Sequence, residues 1–304
     1  MTDAAAARTV LAVDLGGTKT ACALVRGDGT VLAEAKEPSA RGDAGATAAQ
    51  VGAMAGKCLA SASLERASLA GAGVIVPGIY DPATGRAWAP NLWGDAPVPF
   101  AEELGRQVRV PVQVDSDRTG YVLGERWLGA ARGMNDVVFL AVGTGIGAGL
   151  LCGGRVVRGA HGIAGAVGWF ALAGAVREEY ARMGCWEAEA AGPALARKAG
   201  FASAEEAVAA ARAGHGAARH AIADVGAFLA RGVANLISAF DPEMVVLGGG
   251  LMQAGDLFLP LVREGLRAWA QPLAAPRTRI ELSLLGERAG LLGAARLCLD
   301  SGEV

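Results

Sequence analysis

At 304 residues the chain exceeds what one hydrophobic core usually serves, so two lobes are expected. Its 28 basic and 30 acidic side chains leave a net charge of -2, which offers no general attraction to nucleic acid or to an anionic membrane and moves small-molecule chemistry forward. Five scattered cysteines without a C-x-x-C pair oppose a disulfide framework, and with no export signal and no run of about 18 apolar residues a cytoplasmic, unanchored protein is the expectation.

The opening stretch VLAVDLGGTKTACALVRGDGTVLAEAKE, residues 10–37, alternates apolar and polar residues on both sides of Gly16 and Gly17, and GDGT at 27–30 signals a hairpin. Three short antiparallel strands follow from it. Ala-rich residues 43–69 have helical spacing, and AGAGVIVPGIY at 70–80 reads as a buried strand ending at Pro77 and Gly78. Residues 99–117 give a helix and then a β-branched strand that ends at Asp115 and Asp117, which places carboxylates where sites in α/β folds tend to lie. After a helix over 118–131, DVVFLAVGTGIGAGLLCGGRVVRG at 136–159 repeats the opening plan of strand, glycine turn, strand, turn and strand. The remainder reads as helical to about residue 240, followed by the strand EMVVLGGG with glycines at 248–250, one more strand and the helix AGLLGAARLCL. No low-complexity linker separates the halves, so the repeat alone sets the lobes at 1–117 with 289–304, and 118–288.

A turn holding Gly16 and Gly17 lets backbone N–H groups approach phosphate oxygens with no Cβ in the way, and Thr18 and Lys19 add a hydroxyl and a cation. Asp14 beside a phosphate would repel it unless Mg²⁺ or its water shell lay between, so the combination points to a metal-nucleotide. The plainer readings are a tight hairpin and, for Lys19, a solvated surface cation. GTGIGA at 143–148 satisfies the dinucleotide fingerprint formally, yet the residues after it alternate like a strand instead of opening a helix, and neither turn contains G-K-[ST]. What remains is two glycine hairpins, with Gly143, Thr144 and Gly145 in the second, able to hold a triphosphate between lobes.

These segments resemble the ROK family (repressor, open reading frame, kinase) over nearly the whole chain. DLGGTKTACALVRGDGTVL is similar to its first phosphate loop, PNLWG at 90–94 to its sugar-contacting segment, and VDSDRTGYVLGE at 114–125 to a stretch usually written with Asn-Asp. GTGIGAGLLCGGRVVRGAHGIAGAVGW is similar to its second phosphate loop, and NLISAFDPEMVVLGGGLMQAG at 235–255 to its adenosine side, with Gly248 and Gly249. The resemblance implies an α/β, two-lobed actin-like (ribonuclease H-like) ATPase fold with the ligand cleft between lobes, ATP and Mg²⁺ as cofactors, and a homodimer. It implies Asp117 as the base that takes the acceptor proton, although an Asp before a helix is also a natural cap. Asp115 reads as its solvated neighbour. The implied sugar contacts are Gly78, Asn91, Ser116, Asp117 and Glu187, with a turn residue and an exposed helix carboxylate as the plainer readings of Asn91 and Glu187.

The pattern breaks at GAVGWFALAGAVREEYARMGCWE, residues 165–187. Ala166 stands where a sugar-binding Glu is expected, Trp169 where a His touches sugar and binds zinc, and Ser116 where an Asn precedes the catalytic Asp. One remaining thiolate, Cys185, cannot close a tetrahedral site, so no structural zinc is predicted. Trp169 is either a stacking surface for a ligand or plain core. The resemblance therefore implies phosphorylation of a hexose-like hydroxyl, with a kinase of a modified sugar or cyclitol, or a non-catalytic sugar- or nucleotide-binding protein, as alternatives. Repressors of the family carry an additional N-terminal DNA-binding domain, for which the strand beginning near residue 9 leaves no room in this reading.

Overall fold

The computed structural model describes residues 7–301. The chain divides into two compact units: one runs to Gly129 and takes in Ala160–Ile163 and the chain from Glu287 onward, and the other comprises Ala130–Gly159 and Ala164–Gly286.

The first unit is built on strands β1 (Thr9–Leu15), β2 (Lys19–Arg26), β3 (Val31–Pro38), β4 (Leu69–Val76) and β7 (Val112–Ser116), in the order β3-β2-β1-β4-β7. The first three are antiparallel, as the alternation predicts, and β4 and β7 run parallel to β1. Leu11, Val13 and Leu15 of β1 join the core formed with helices α1 (Ala44–Ser61) and α2 (Phe100–Val108). Because successive strand residues face opposite ways, Asp14 belongs to the other face. That face is covered by the C-terminal helix Arg288–Asp300, which packs on β1, β4 and helix α3 (Asp117–Leu128).

The packing there is backbone against backbone. A Cβ added at Gly73 of β4 would lie 1.8 Å from the Ala294 carbonyl oxygen, at Gly124 of α3 2.3 Å from that of Ala289, and at Gly293 1.7 Å from that of Gly120. This seam is why the unit boundary falls after Gly129 and not after Asp117: α3 is fixed to the C-terminal helix and belongs to the first unit. A hairpin of β5 (Ile79–Asp81) and β6 (Arg86–Trp88) and a helical turn at Pro90–Trp93 are further departures from the sequence reading, in short segments without a usable period.

The second unit repeats the sheet plan with β8 (Val137–Val142), β9 (Ile146–Cys152), β10 (Arg155–Val156), β11 (Met244–Gly248) and β12 (Arg279–Leu282), ordered β10-β9-β8-β11-β12. Strand β9 is antiparallel to β8 and β10, while β11 is parallel to β8 and β12. Helices α4 (Cys185–Ala190), α5 (Gly192–Ala199), α6 (Ala204–Arg212), α7 (Gly216–Phe240) and α8 (Gly255–Trp269) accompany it. Helix α7 is long and apolar enough to pass for a membrane span, but 61% of its most apolar window is buried inside this unit, where it supplies core.

Two sequence expectations fail here. Residues 160–179 are largely irregular instead of helical, because Gly162 and Gly165 take positive φ that a helix does not tolerate. Helix α8 was not anticipated; it contains Pro260, whose usual effect is to break a helix. Replacing a mid-helix Gly with Ala ordinarily adds about 0.5–1 kcal/mol of stability. Gly293→Ala should do the reverse and cost roughly 2 kcal/mol or more through overpacking, read from urea denaturation midpoints at constant slope.

Candidate active site

In the first unit the predicted residues gather at the carboxyl ends of β1 and β7. Asp14, paired in register with Ile75 of β4, is accommodated by Gly290, where a Cβ would lie 2.3 Å from Asp14 Oδ2. The first glycine turn closes through Gly16 N–H donating to the Lys19 carbonyl at 2.9 Å. A Cβ on Gly16 would sit 2.6 Å from that oxygen, so the turn requires its bare backbone. The Ser39 hydroxyl donates to the Gly16 carbonyl at 2.6 Å and the Arg41 guanidinium to that of Gly17. Thr18 and Lys19 are exposed beside it.

Asn91 reaches the same turn by an indirect route. The Trp93 indole donates to Thr47 Oγ1 at 2.9 Å and stacks on Phe100, which anchors the helical turn and leaves Asn91 exposed next to Gly17. Gly78 has a packing reason of its own, since a Cβ there would lie 2.0 Å from the Trp88 carbonyl oxygen.

At the β7–α3 junction Asp115 is buried, not solvated: it accepts from Ser116 N–H at 2.7 Å and from Thr119 Oγ1 at 3.0 Å. Asp117 opens α3, and two hydrogen bonds end on its Oδ1, from Arg118 N–H at 2.8 Å and from the Ser116 hydroxyl at 3.1 Å. The Ser116 oxygen in turn accepts from Arg118 Nε at 3.1 Å. Ser116 is thus committed to Asp117 and Arg118, and Arg118 and Tyr121 are additions to the site that no motif flagged.

The electrostatics follow from crowding like charges in a covered place. Burial, then the charge of Asp117, pushes the Asp14 carboxyl up to about 7, with Lys36 opposing. Burial also raises Asp117, against the pull of the Arg118 charge and the two hydrogen bonds. Arg118 is lowered by burial and supported by Asp117 and Asp115, and the Tyr121 hydroxyl is raised by burial and by the Asp117 and Asp14 charges.

In the second unit the turn between β8 and β9 is closed by Gly143 N–H donating to the Gly145 carbonyl at 2.9 Å and Gly192 N–H donating to that of Gly143 at 2.7 Å. Glu187 is half-buried, not an exposed helix carboxylate. Its Oε2 accepts from Ile146 N–H at 2.8 Å and lies where a Cβ on Gly145 would come within 2.7 Å; burial raises its carboxyl and the Ile146 bond opposes. Trp169 is 55% exposed, which removes the core reading.

A cavity of about 540 Å³ opens behind this turn, lined by Gly143 and Thr144, by Pro193 and Ala196 of α5, by Arg212 of α6 and by Gln253. Its volume is that of a small-ligand site. Gly248 is not part of it: it is buried, and a Cβ there would meet Phe139 at 2.3 Å, while Gly249 turns the chain at φ +89° with a Cβ position 2.5 Å from the Val142 carbonyl oxygen. The lining from this stretch begins at Gly250. The α5 and α6 walls carry no motif; the one local signal is Ser203, whose hydroxyl caps α6 by accepting from Glu206 N–H at 3.1 Å.

The ROK family model matches residues 10–301. The chain belongs to the ROK family. It is 37% identical over 95% of its length to the bifunctional enzyme NanE/NanK of Brucella suis, of which the match spans 53%. Two solved structures are similar to it over nearly their full lengths. A ROK hexokinase from Thermus thermophilus is 30% identical with a TM-score of 0.82, covering 97% of this chain and 100% of that one. A ROK glucokinase from Streptomyces griseus, in complex with glucose and AMPPNP, is 27% identical with a TM-score of 0.75, covering 95% and 98%. The fold is accordingly the two-lobed actin-like ATPase fold of ROK sugar kinases.

Where the ROK resemblance implies a cysteine cluster, this ROK chain has the buried Cys185 alone, and an ion-pair cluster ties down the adjoining segment. Glu189, 6% exposed at its side chain, accepts from Arg177 at 2.5 Å, Tyr180 OH at 2.7 Å and Lys198 at 3.0 Å. Burial opposes its charge, yet these partners hold its carboxyl below the ordinary range. Glu189→Gln should cost about 1–2 kcal/mol, since Lys198 loses a covered counter-charge while Arg177 keeps Glu179 and solvent. The wild-type contribution is present above the ordinary Glu range and is lost as pH falls through the lowered folded value, so the variant's stability should change less on acidification, measured by denaturation at pH 7 and pH 4. In the cavity, Ala209 is an exposed lining residue. Ala209→Trp should fill part of this space and still leave the melting temperature within a few degrees, read by thermal denaturation.

Proposed function

We propose that this ROK sugar kinase transfers the γ-phosphoryl group of ATP to a hydroxyl of a hexose or hexose-like acceptor, with Asp117 as general base. The observation that carries the reading is the state of that carboxylate. Both hydrogen bonds to it end on Oδ1, so Oδ2 is the oxygen left to receive a proton. In the reaction the acceptor hydroxyl gives its proton to Asp117 Oδ2, its oxygen forms a bond to the γ-phosphorus, and the bond from that phosphorus to the β,γ-bridging oxygen breaks, releasing ADP.

The remaining groups position and neutralise. The N–H groups of the two glycine turns, with Thr18, Lys19 and Thr144, suit the phosphate oxygens, and the cavity beside Gly143 and Thr144 suits the nucleoside. Among the described residues no group of three or more His, Cys, Asp or Glu is arranged to hold a metal. Mg²⁺, however, is usually held through one or two carboxylates, waters and the phosphates themselves, and Asp14, crowded by Asp117, fits that donor set. Mg²⁺ there would supply charge neutralisation of the triphosphate. The similarity to a glucokinase whose structure holds glucose and AMPPNP supports both the acceptor class and the nucleotide.

Asn91 and Glu187 remain the proposed hydroxyl contacts, whereas Ala166 and the exposed Trp169 favour an acceptor with a modified or apolar face over plain glucose. A homodimer in the cytoplasm is part of the same reading. The test is coupled ADP release with ATP and Mg²⁺ against hexoses, amino sugars, N-acetylated sugars and cyclitols. Asp117→Ala should lower kcat on the preferred acceptor by about 10²–10⁴-fold. Equal turnover by the variant would remove Asp117 as the base, and a folded, nucleotide-binding protein silent on every acceptor would favour a binding role.

A further inference from the structure

We propose that Ser116 and Arg118 act as one positioning unit for Asp117, in which the Arg118 Nε–H fixes the Ser116 hydroxyl so that its proton is directed to Asp117 Oδ1 and Oδ2 is presented to the acceptor. The inference rests on the kinase reading for its consequence in catalysis, but its geometry stands independently of the substrate. A serine hydroxyl has one proton and two lone pairs and rotates to suit its partners. Here Arg118 Nε occupies one lone pair at 3.1 Å, and the hydroxyl proton is directed along the 3.1 Å contact to Oδ1. The Arg118 N–H reaches the same Oδ1 at 2.8 Å, so residues 116–118 hold one oxygen from two directions. A carboxylate so held cannot turn about its Cβ–Cγ bond without breaking both bonds, and misplacement of a reacting group by about 1 Å can cost some hundredfold in rate.

The guanidinium has a second effect through its charge. Arg118 faces Asp117 and Asp115. The other charges around Asp117 are Asp14 of β1, which is a like charge, and Lys36 of β3, which acts on Asp14. Tyr121 stands one turn along α3 and feels both Asp117 and Asp14. The C-terminal helix packed on α3 brings Arg288 and Arg296, which pair with Glu34 and Asp300. Arg118 is thus the cation that acts directly on Asp117, and its loss should favour the protonated base.

Three substitutions separate orientation from charge. Arg118→Gln removes the charge, Arg118→Lys keeps the charge but not the Nε fork, and Ser116→Ala removes the hydroxyl while sparing Arg118. On the preferred acceptor all three should lower kcat by about 10–100-fold with KM for ATP unchanged. Removing a cation raises a neighbouring carboxyl, so the acidic limb of the kcat profile should move to higher pH in Arg118→Gln and stay in place in Arg118→Lys. A purely structural role would not produce that split.

A readout that needs no acceptor runs in parallel: ¹³C carboxyl titration of aspartate-labelled protein, with the Asp117 signal identified by its loss in Asp117→Asn. The midpoint should rise in Arg118→Gln and match wild type in Arg118→Lys. If the titration splits in this way and the midpoint also rises in Ser116→Ala, but no acceptor is phosphorylated, the kinase reading fails and the positioning unit stands. If Arg118→Gln and Ser116→Ala keep both the wild-type titration and the wild-type kcat, the positioning unit is overturned whatever the substrate.

Discussion

The placement of Asp14 on the strand face that the C-terminal helix covers constrains most of the first unit. A carboxylate under a helix needs space, so the helix carries Gly290 in its first turn at the point of approach. It also needs the helix to come no closer than its neighbours allow, and the contacts of Gly73, Gly120, Gly124 and Gly293 set that distance through backbone atoms with little side-chain freedom to adjust it. The same seam carries α3, and with it Asp117, to the side of the sheet where Asp14 lies. Two carboxylates are thereby crowded where neither is fully hydrated, which is unfavourable for folding and useful for chemistry.

The second unit meets a different constraint with a related device. Glu187 needs a defined place beside the Gly145 turn, and it lies on a helix of only six residues that has no length to stabilise itself. Three partners converging on Glu189, two positions along that helix, bind it to α5 and to the segment before it. A desolvated carboxylate with three donors is a stiff attachment because it cannot move without giving up hydrogen bonds to all three at once. Stiffness supplied this way leaves the surface beside it open, and Trp169 occupies that surface.

Much of the architecture was legible because it rests on local signals. Alternation around Gly16 and again around Gly145 predicts both antiparallel meanders, and the repeat of the plan predicts two units. Asp117 at the strand end was legible from the motif, as was the glycine turn beside it. Asp115 was misread because nothing local distinguishes a carboxylate capped by Ser116 N–H and Thr119 from one in water. Arg118 and Tyr121 were passed over because a charged or aromatic residue on the first turns of a helix carries no motif. The cavity walls of α5 and α6 were invisible for the same reason: they are ordinary alanine-rich helices until they are folded against Gly143.

The sequence by itself determined the strands of the two five-stranded sheets, the two glycine turns and, through its motifs, the family whose resemblance implies the chemistry to expect, since each motif is a set of residue types at fixed spacing along the chain. Tertiary structure alone decided where the unit boundary falls, that Ser116 answers to Asp117, that Glu187 backs onto Gly145, and that Trp169 faces solvent. Those facts depend on which backbones approach to within a Cβ of one another and on how many donors reach a covered carboxylate. Such distances are set by packing between elements far apart in sequence, for which local pattern holds no record.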